Sequence, residues 1–250
     1  MKVELISYTQ NAEALLIFSK NTRHLEDVSS FEKFLDDFHK VDIEKELGYV
    51  FNTIGSSWEF INYVFLIKDV TRAFTHQFVR HRVGVSFAQQ SLRVADAGDF
   101  DYLATGNCIG SGTYGDAMSV IKNSYKKLIS FGVNQQDARG ILPTNILTNI
   151  LFGGNLRSIS EMISSRLCFR TQNEFREVVK KMRSEVLKVH PWATKILTVC
   201  CIKNSLCPWG NYDGCPMKSK YPDLFGKTDE EKMDRVEYFE NLDFDPQPEV

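Results

Sequence analysis

A short basic segment, His76–Arg82, holds the densest group of residues suited to binding chemistry in this 250-residue chain. Residues three and four apart are neighbours on a helix, so Gln77, Arg80 and His81 would share one helical face. The planar guanidinium fork of arginine matches the geometry of a phosphate group, and a histidine can complete such a site. The residue types and spacing therefore predict an anion site at this segment.

A second cationic column supports this prediction. Arg72, His76 and Arg80 follow one another at four-residue spacing. Cations placed so closely on one helix repel each other unless an anion or an acidic side chain neutralises them. The alternative interpretation is a solvated basic helix end, or arginines that pair with acidic residues elsewhere in the chain.

Downstream polar residues add neutral hydrogen-bonding groups to these cations. Gln89, Gln90 and Ser91 offer both donors and acceptors, which is the chemistry needed to recognise the amide-like edge of a nucleobase. Arg93 adds another guanidinium two residues later.

Two further groups lie later in the chain. Arg139 stands just before Ile141-Leu142-Pro143, where a turn can direct its side chain into a cleft. The other group is predicted to lie along one long helix over residues 156–189, and its members are Asn155, Arg157, Glu161, Arg166 and Arg170. Three cationic groups in a chain of net charge −2 indicate a polyanionic ligand.

The elements that must position these residues indicate an α+β fold with a mixed or antiparallel sheet flanked by long helices. Alternating or branched apolar residues predict strands at Val3–Tyr8 and Phe60–Lys68. Helical periodicity predicts helices at Ile43–Phe51, Thr71–Arg82 and Asp116–Phe131. We expect a catalytic domain over residues 1–205 and an appendage with an acidic tail over 206–250.

Composition limits the class of protein. With 43% hydrophobic and 25% charged residues, the chain resembles ordinary globular proteins and not disordered or fibrous ones. Residues 221–250 carry a net charge of −7, which leaves the first 220 residues at +5. Neither a membrane span nor a secretory signal is evident, so we expect a cytoplasmic protein that does not bind membranes.

Two other patterns look like motifs. Gly110–Gly115 matches G-x-G-x-x-G, but it lacks a firm strand before it and an acidic residue about 20 positions later, so we expect a glycine loop that enters a helix. Cys200, Cys201, Cys207 and Cys215 are the residues of a possible zinc site or redox pair. Because no Cys-x-x-Cys pair is present, we favour free thiols and predict no metal.

The ordered set of motifs resembles the flavin-dependent thymidylate synthases, the ThyX family. The family signature is Arg-His-Arg, seven or eight residues, then Ser, and here Arg80-His81-Arg82 precedes Ser91 by eight intervening residues. The block Ser56-Ser57-Trp58-Glu59 precedes this signature, and the downstream blocks follow in order, namely Ala138–Pro143, Asn155-Leu156-Arg157-Ser158, Arg166-Leu167 and Gln172–Arg176. The resemblance covers roughly residues 50 to 195.

The resemblance implies a homotetramer whose active sites are built from several subunits. It implies conversion of dUMP to dTMP, with methylenetetrahydrofolate as carbon donor, FAD as redox carrier and NADPH as reductant. It implies a small nucleotide as substrate, with no nucleic acid partner.

The resemblance also implies roles for individual residues. Arg166 matches the arginine that acts on the uracil ring and would be the catalytic residue. The implied FAD contacts are Ser56, Arg80, His81, Arg82, Gln89, Asn155, Arg157 and Glu161. The implied dUMP contacts are Gln77, Arg80, Gln89, Gln90, Ser91, Arg93, Arg139 and Arg166.

Several positions depart from the family pattern, chiefly near the flavin. Val94 replaces a usual Tyr, Phe60 a usual His, Glu161 a common Asn and Arg170 a common His. These departures keep open an alternative, namely the same scaffold acting on another pyrimidine nucleotide or transferring another one-carbon group such as hydroxymethyl. A nucleic-acid-binding module that uses the arginines is the alternative from a different class of protein.

Overall fold

The computed structural model describes residues 1–23, 30–53, 55–204, 207–208, 214–220 and 229–241. Its four strands are β1 (Lys2–Tyr8), β2 (Asn62–Thr71), β3 (Val85–Gln89) and β4 (Leu147–Asn155). They form one antiparallel sheet in the order β1-β2-β4-β3. The predicted α+β class, with an antiparallel sheet and flanking helices, is confirmed.

The α-helices of the described residues surround this sheet. They are α1 (Ala12–Arg23), α2 (Phe31–Asp37), α3 (Ile43–Asn52), α4 (Arg72–Phe78), α5 (Gly112–Ser130), α6 (Gln135–Ala138), α7 (Leu156–Arg166), α8 (Asn173–Val189), α9 (Cys200–Lys203), α10 (Pro216–Lys220) and α11 (Asp229–Glu240). Short 3-10 helices, including Gly55–Phe60 and Arg139–Ile141, connect some of them. No described helix is long and apolar enough to cross a membrane.

The central sheet buries an aromatic layer. Tyr63, Phe65 and Ile67 alternate along β2 and are fully buried, as expected for a strand whose side chains point to opposite faces in turn. Phe65 stacks on Phe152 of β4 at 6.1 Å between ring centroids. Phe78 of α4 packs against that same ring, so the core holds α4 against the sheet.

Helix α8 covers this layer with one face. Phe175, Val178, Met182 and Val186 are fully buried and recur at the three- and four-residue spacing of an amphipathic helix. Phe175 makes edge contacts with both Phe74 and Phe78 of α4. Helices α4 and α8 are thereby fixed to each other by three aromatic rings.

Two predicted helices differ from the observed ones. The helix predicted at Thr71–Arg82 ends at Phe78, so Arg80, His81 and Arg82 follow it in a turn. The long helix predicted over residues 156–189 is broken by the loop 167–172 into α7 and α8. The local apolar pattern continues through this loop because Leu167 and Phe169 are buried in the same core.

The glycine motif behaves as expected. A 3-10 helix at Gly106–Cys108, and not a strand, precedes it. Ser111 caps α5 by accepting a hydrogen bond from the Tyr114 N–H, and Gly112 begins the helix. This segment is therefore a glycine loop at a helix start, as predicted from its sequence context.

The C-terminal helices pack on the same core as the rest of the chain. Met217 of α10 and Val236 of α11 are almost fully buried in it. Phe239 of α11 packs edge-on against Phe169 of the α7–α8 loop at 5.4 Å. These contacts tie the described part of residues 206–250 to the loop that separates α7 from α8.

Candidate functional site

Helix α4 begins at a rigid junction with β2 and α8. Thr71 caps α4 by accepting a hydrogen bond from the Phe74 N–H. The buried carboxylate of Glu174 on α8 accepts hydrogen bonds from both the Thr71 backbone N–H (2.7 Å) and the Thr71 hydroxyl (2.5 Å). Hydrogen bonds to a charged acceptor are stronger than neutral ones, so this junction orients α4 and the residues it carries.

Arg166, the predicted catalytic residue, is the last residue of α7 and is half-buried. Its Nε donates a long hydrogen bond (3.5 Å) to Nε2 of His81. Its guanidinium group also lies over the ring of Phe175, 4.8 Å from the centroid, at cation–π distance. The tertiary structure thus places Arg166 beside the Arg-His-Arg segment, 85 residues away in sequence.

The surroundings of His81 favour its neutral form. Burial, and next the positive charge of Arg166, lower the pKa of His81 below its usual value of 6.5. A neutral imidazole can accept the Arg166 N–H, whereas an imidazolium would repel the guanidinium. His81 also makes an edge contact with Phe175, which completes a cluster of three side chains.

Gln77 joins this cluster from α4. Its Nε2 donates a hydrogen bond of 2.6 Å to Oε1 of Gln172, at the start of α8. Since Gln172 ends the loop that begins after Arg166, Gln77 and Arg166 border the same loop. Gln89 at the end of β3 donates to the Thr75 hydroxyl of α4 at 2.9 Å.

A pair of like charges marks a second part of the site. The Arg72 Nη1 donates to the backbone carbonyl of Gln90 at 3.4 Å. Burial and the nearby charge of Arg139 lower the pKa of Arg72. Arg139 is therefore close enough to Arg72 to interact, although 67 positions separate them. An anion between two such guanidinium groups would relieve their repulsion.

Other residues of the predicted dUMP set are exposed, and some of them follow Gln90 closely in sequence. Ser91 and Arg93 form a local turn in which the Ser91 hydroxyl accepts a hydrogen bond from the Arg93 N–H at 3.2 Å. Arg80 is also exposed, in the turn after α4. Arg72 was not among the predicted site residues, although its four-residue spacing to His76 and Arg80 is a signal for it.

Part of the predicted flavin set lies at the N-terminus of α7, whereas His81 and Gln89 lie elsewhere. Asn155 caps this helix by accepting a hydrogen bond from the Ser158 N–H at 2.9 Å. The Ser158 hydroxyl donates to the Val83 carbonyl at 2.6 Å, and the Asn155 N–H donates to the Gly84 carbonyl at 3.1 Å. These hydrogen bonds hold Val83 and Gly84, which follow exposed Arg82, against the start of α7.

A glycine is required at this contact. Gly84 has a φ of +65°, and an added Cβ would lie only 2.4 Å from Nδ2 of Asn155 and from Oγ of Ser158. Any side chain would therefore force this turn away from α7. The close approach keeps Arg82 near the positive end of the α7 dipole, where anions are favoured.

Arg157 lies in an exposed acidic environment on the first turn of α7. It pairs with Glu59 at 2.7 Å and with Glu161 at 3.4 Å, and these hydrogen bonds raise its pKa. Gly55 packs beside the Arg157 side chain, which places exposed Ser56 at the same end of α7. The four predicted residues Ser56, Asn155, Arg157 and Glu161 thus share one region.

The residues around Asn155 and those around Arg166 lie at opposite ends of helix α7. An 11-residue α-helix is about 16 Å long. The start of α7 carries some of the predicted flavin contacts, including Asn155 and Arg157, and its end carries Arg166, which contacts another of them, His81. The Arg80–Gly84 segment runs between them, because His81 contacts Arg166 while Val83 and Gly84 contact the helix start. This arrangement suits an extended ligand next to a second, smaller one.

Solved structures define the class of fold. A ThyX from Helicobacter pylori, whose structure contains FAD and dUMP, superposes with a TM-score of 0.56 at 16% identity, covering 74% of this chain and 93% of that one. A UMP/dUMP methylase, PolB, from Streptomyces cacaoi bound with 5-Br dUMP superposes with a TM-score of 0.60 at 19% identity, covering 75% and 90%. The fold is therefore that of the ThyX enzymes.

The sequence comparisons then identify the family. The family model described as "Thymidylate synthase complementing protein" (Thy1) matches residues 4–192. A flavin-dependent thymidylate synthase from Sulfurisphaera tokodaii is 34% identical over 212 residues, which are 81% of this chain and 79% of the relative. One from Pyrococcus abyssi is 31% identical over 224 residues, with coverages of 83% and 89%.

The chain belongs to the flavin-dependent thymidylate synthase family. The family predicted from the motifs is thereby confirmed, together with its FAD-dependent, methyl-transferring class of activity.

Proposed function

We propose that this protein catalyses the reductive methylation of dUMP to dTMP, with methylenetetrahydrofolate as carbon donor and NADPH as reductant of bound FAD. The observation that carries the proposal is the position of Arg166, which contacts His81 of the Arg-His-Arg signature at one end of α7. The other end of the same helix bears the residues proposed to hold the cofactor.

Arg166 is the proposed catalytic residue. Uracil C5 is a weak nucleophile, and it attacks the carbon donor more readily when the ring carries enolate-like charge. A guanidinium group beside the ring carbonyl or N3 stabilises that charge without forming a covalent bond. Packing on Phe175 and the contact with neutral His81 hold the Arg166 guanidinium in place, so little reorganisation accompanies the reaction.

Other residues on the pyrimidine side bind the nucleotide. Gln77 is bonded to Gln172, which ends the loop that begins after Arg166, and its amide suits the imide edge of uracil. Arg72 and Arg139 are the proposed centre of the phosphate site, since a phosphate dianion would remove their mutual repulsion. The remaining proposed dUMP contacts are Arg80, Gln89, Gln90, Ser91 and Arg93. Ser91 serves as a binding residue and not as a nucleophile.

The residues at the start of α7 fit FAD. A helix N-terminus and exposed guanidinium groups attract the diphosphate of a dinucleotide. Here Asn155 caps the N-terminus of α7, and exposed Arg80 and Arg82 supply the guanidinium groups. Arg157 and Ser56 add polar contacts. Glu161 already pairs with Arg157 and would orient it. Bound FAD supplies the hydride for the reduction, which no side chain can provide.

We infer that the working form is a cytoplasmic homotetramer with active sites at subunit interfaces, as the family resemblance implies. We also propose that residues 1–205 form the catalytic domain and residues 206–250 the appendage. Ser91, Arg93 and Arg139 are exposed in a single chain, as expected of residues that contribute to the site of a neighbouring subunit.

The second candidate function is the modification of another pyrimidine nucleotide by an enzyme of the same fold. PolB, which has this fold, is named a UMP/dUMP methylase. The departures from the family pattern at Val94, Arg170 and Glu161 support this alternative, since they replace residues that are usual near the flavin. Product analysis with dUMP, UMP and dCMP separates the two, and failure to form dTMP from dUMP would exclude the first.

The Arg166→Ala variant tests the central assignment. We expect turnover to fall by about 10²–10³ or more, as for loss of a group that stabilises developing charge, while FAD stays bound. The measurements are dTMP formation and the visible spectrum, with bleaching by NADPH and reoxidation in air. Arg23→Ala, at the exposed end of α1, is the matched control. A variant that lost FAD but kept normal turnover after reconstitution would contradict the role of Arg166.

A mixing experiment tests the shared active sites. We expect Arg166→Ala and Arg93→Ala homo-oligomers each to be inactive, and their mixture, after subunit exchange, to regain a fraction of the activity. Recovery occurs only if the two arginines of one site come from different chains. No recovery in a mixture shown to contain hetero-oligomers would place both residues in a site formed by one chain.

A further inference from the structure

A large cavity lies among α3, α9, α11 and the 3-10 helices Gly55–Phe60 and Pro191–Lys195. Its volume is about 560 Å³, within the range of roughly 300–1,000 Å³ that is usual for small-molecule sites. The residues proposed to contact FAD or dUMP all have described positions, and none of them lines this cavity. The cavity is therefore separate from the proposed active site.

Aromatic rings form one wall of this cavity. Phe51 of α3 stacks on Trp192 at 5.8 Å between ring centroids and meets Trp58 edge-on at 6.1 Å. Leu47 and Val236, both almost fully buried, add aliphatic surface. Aromatic rings pack favourably on one another in stacked and edge-on arrangements, so this wall suits a flat aromatic ligand.

Two indole N–H groups in the same wall lack an acceptor. Nε1 of Trp58 and Nε1 of Trp192 are buried, and neither donates a hydrogen bond to any described residue. Trp58 as a whole is only 7% exposed. A buried donor without a partner is unfavourable, and such a donor often marks the place of a water, ion or ligand. The wall therefore has unused hydrogen-bonding capacity.

The amine of Lys203 adds a positive charge to this wall. Its Nζ lies 5.5 Å from the centroid of the Trp58 ring and donates a hydrogen bond of 2.7 Å to the Ser160 hydroxyl. Within the described part of the chain, no carboxylate forms an ion pair with it. Burial lowers the pKa of Lys203, and the charge of Glu161 offsets this effect only in part. An anion beside the amine would supply the missing counter-charge.

Part of the lining lies beyond the range that the family model matches. That range ends at residue 192, whereas Lys203 of α9 and Val236 of α11 follow it. The C-terminal helices therefore complete a cavity that the matched catalytic fold does not form by itself.

We propose that the cavity binds a planar aromatic molecule that carries one negatively charged group, such as an aromatic carboxylate. Its rings pack on Phe51, Trp58 and Trp192, and its anionic group lies beside the Lys203 amine. A neutral aromatic molecule would leave the amine without a counter-charge, and a small inorganic anion would leave the aromatic wall uncovered. The two features of the wall together favour one ligand that has both.

Calorimetric titration of the full chain, saturated with FAD and dUMP, tests the proposal with 2-naphthoate as the probe. We expect one binding site per chain. The alcohol 2-naphthylmethanol has the same rings without the charge, and it should bind about tenfold more weakly. Because heat of binding is measured, the result does not depend on whether the protein forms dTMP.

Two variants locate the probe. Lys203→Met keeps most of the side-chain volume and removes the charge, so it should weaken naphthoate binding about tenfold with little effect on the alcohol. Gly48 lines the cavity and an added Cβ meets open space, so Gly48→Phe should abolish binding of both probes. The controls Lys45→Met and Gly112→Phe make the same changes at exposed positions outside the lining and should bind both probes like the wild type.

Four results would overturn the proposal. They are no binding of naphthoate at millimolar concentration, equal affinity of the wild type for the acid and the alcohol, binding that both Lys203→Met and Gly48→Phe retain, and binding that appears only after removal of residues 242–250. The last result would identify the chain's own end as the occupant. If one variant does not fold, as judged by circular dichroism, the other variant and the comparison of the two probes still decide the matter.

Discussion

The imidazole of His81 lies between a guanidinium group and an aromatic ring, and this position determines its charge. Its ring contacts Phe175 edge-on, and its Nε2 accepts the N–H of Arg166. Both burial and the Arg166 charge disfavour the imidazolium form. At the scale of single residues, the proposed active site therefore depends on one histidine remaining neutral.

The depressed pKa of His81 predicts a loss of stability in mild acid. Below pH 6.5 the unfolded chain takes up the proton before the folded chain does, so the free energy of unfolding falls as pH decreases towards the folded-state pKa. Urea unfolding at pH 7.5, 6.5 and 5.5, at one protein concentration, measures this. His81→Gln should lose less stability over this range than the wild type. His190, whose pKa is also lowered by burial, contributes to the slope in the same direction.

The exposed His39, in a 3-10 helix far from α7 in sequence, provides the control. His39→Gln should follow the wild-type pH dependence. Equal slopes for wild type and His81→Gln would show that His81 does not titrate differently in the folded protein.

At the scale of elements, α7 unites the two halves of the site because other elements are docked at both of its ends. The Val83–Gly84 turn is bound to its start by Ser158 and by the Asn155 backbone. The 167–172 loop leaves its end and returns to α4 through Gln172. A helix shifted by one turn would separate Arg166 from His81, so these terminal contacts define the geometry of the site.

Gly84→Ala tests the docking of this turn. The added methyl group would overlap Asn155 and Ser158, and the positive φ is unfavourable for alanine, so we expect a loss of about 1–3 kcal/mol of stability and weaker FAD binding. Thermal unfolding and flavin titration measure both effects. Gly48→Ala in α3 is the control, because its Cβ meets open space and a helical alanine should stabilise the protein by about 0.5–1 kcal/mol. Gly84→Ala with wild-type stability would show that the turn can move freely.

At the scale of the whole molecule, the C-terminal segment adds to the main core. Val236 is 3% exposed there, and Phe239 contacts Phe169 in the loop next to Arg166. The segment that carries the acidic tail is therefore connected to the active-site loop through apolar packing.

Val236→Asp tests the contribution of this packing. A carboxylate buried without a partner should lower the free energy of unfolding by about 3 kcal/mol or more. Val120→Asp makes the same chemical change on α5, where the side chain is 64% exposed, and should change stability by less than about 0.5 kcal/mol. Similar thermal unfolding of both variants would mean that α11 contributes little to the stability of the fold.

Local sequence patterns sufficed to predict several features. The alternation in Val3–Tyr8 and the apolar run at Phe60–Lys68 predicted strands that the structure contains as β1 and β2. The α+β class followed from such elements, and the order of the arginine motifs identified the family. These features depend on residues close together in sequence, whose spacing directly reflects the period of a helix or strand.

Tertiary structure alone decided which distant residues meet. Strands β3 and β4 were not predicted, because Gly153-Gly154 resembles a chain break until its pairing with Val85 and Ser86 is known. The contacts of Arg166 with His81 and of Gln77 with Gln172 join residues 85 and 95 positions apart. The proximity of Arg72 to Arg139, and of Cys168 to the C-terminal cysteines, became recognisable only in the tertiary structure. Periodicity reports which face of an element is buried, whereas sheet pairing and core packing determine which elements lie against that face.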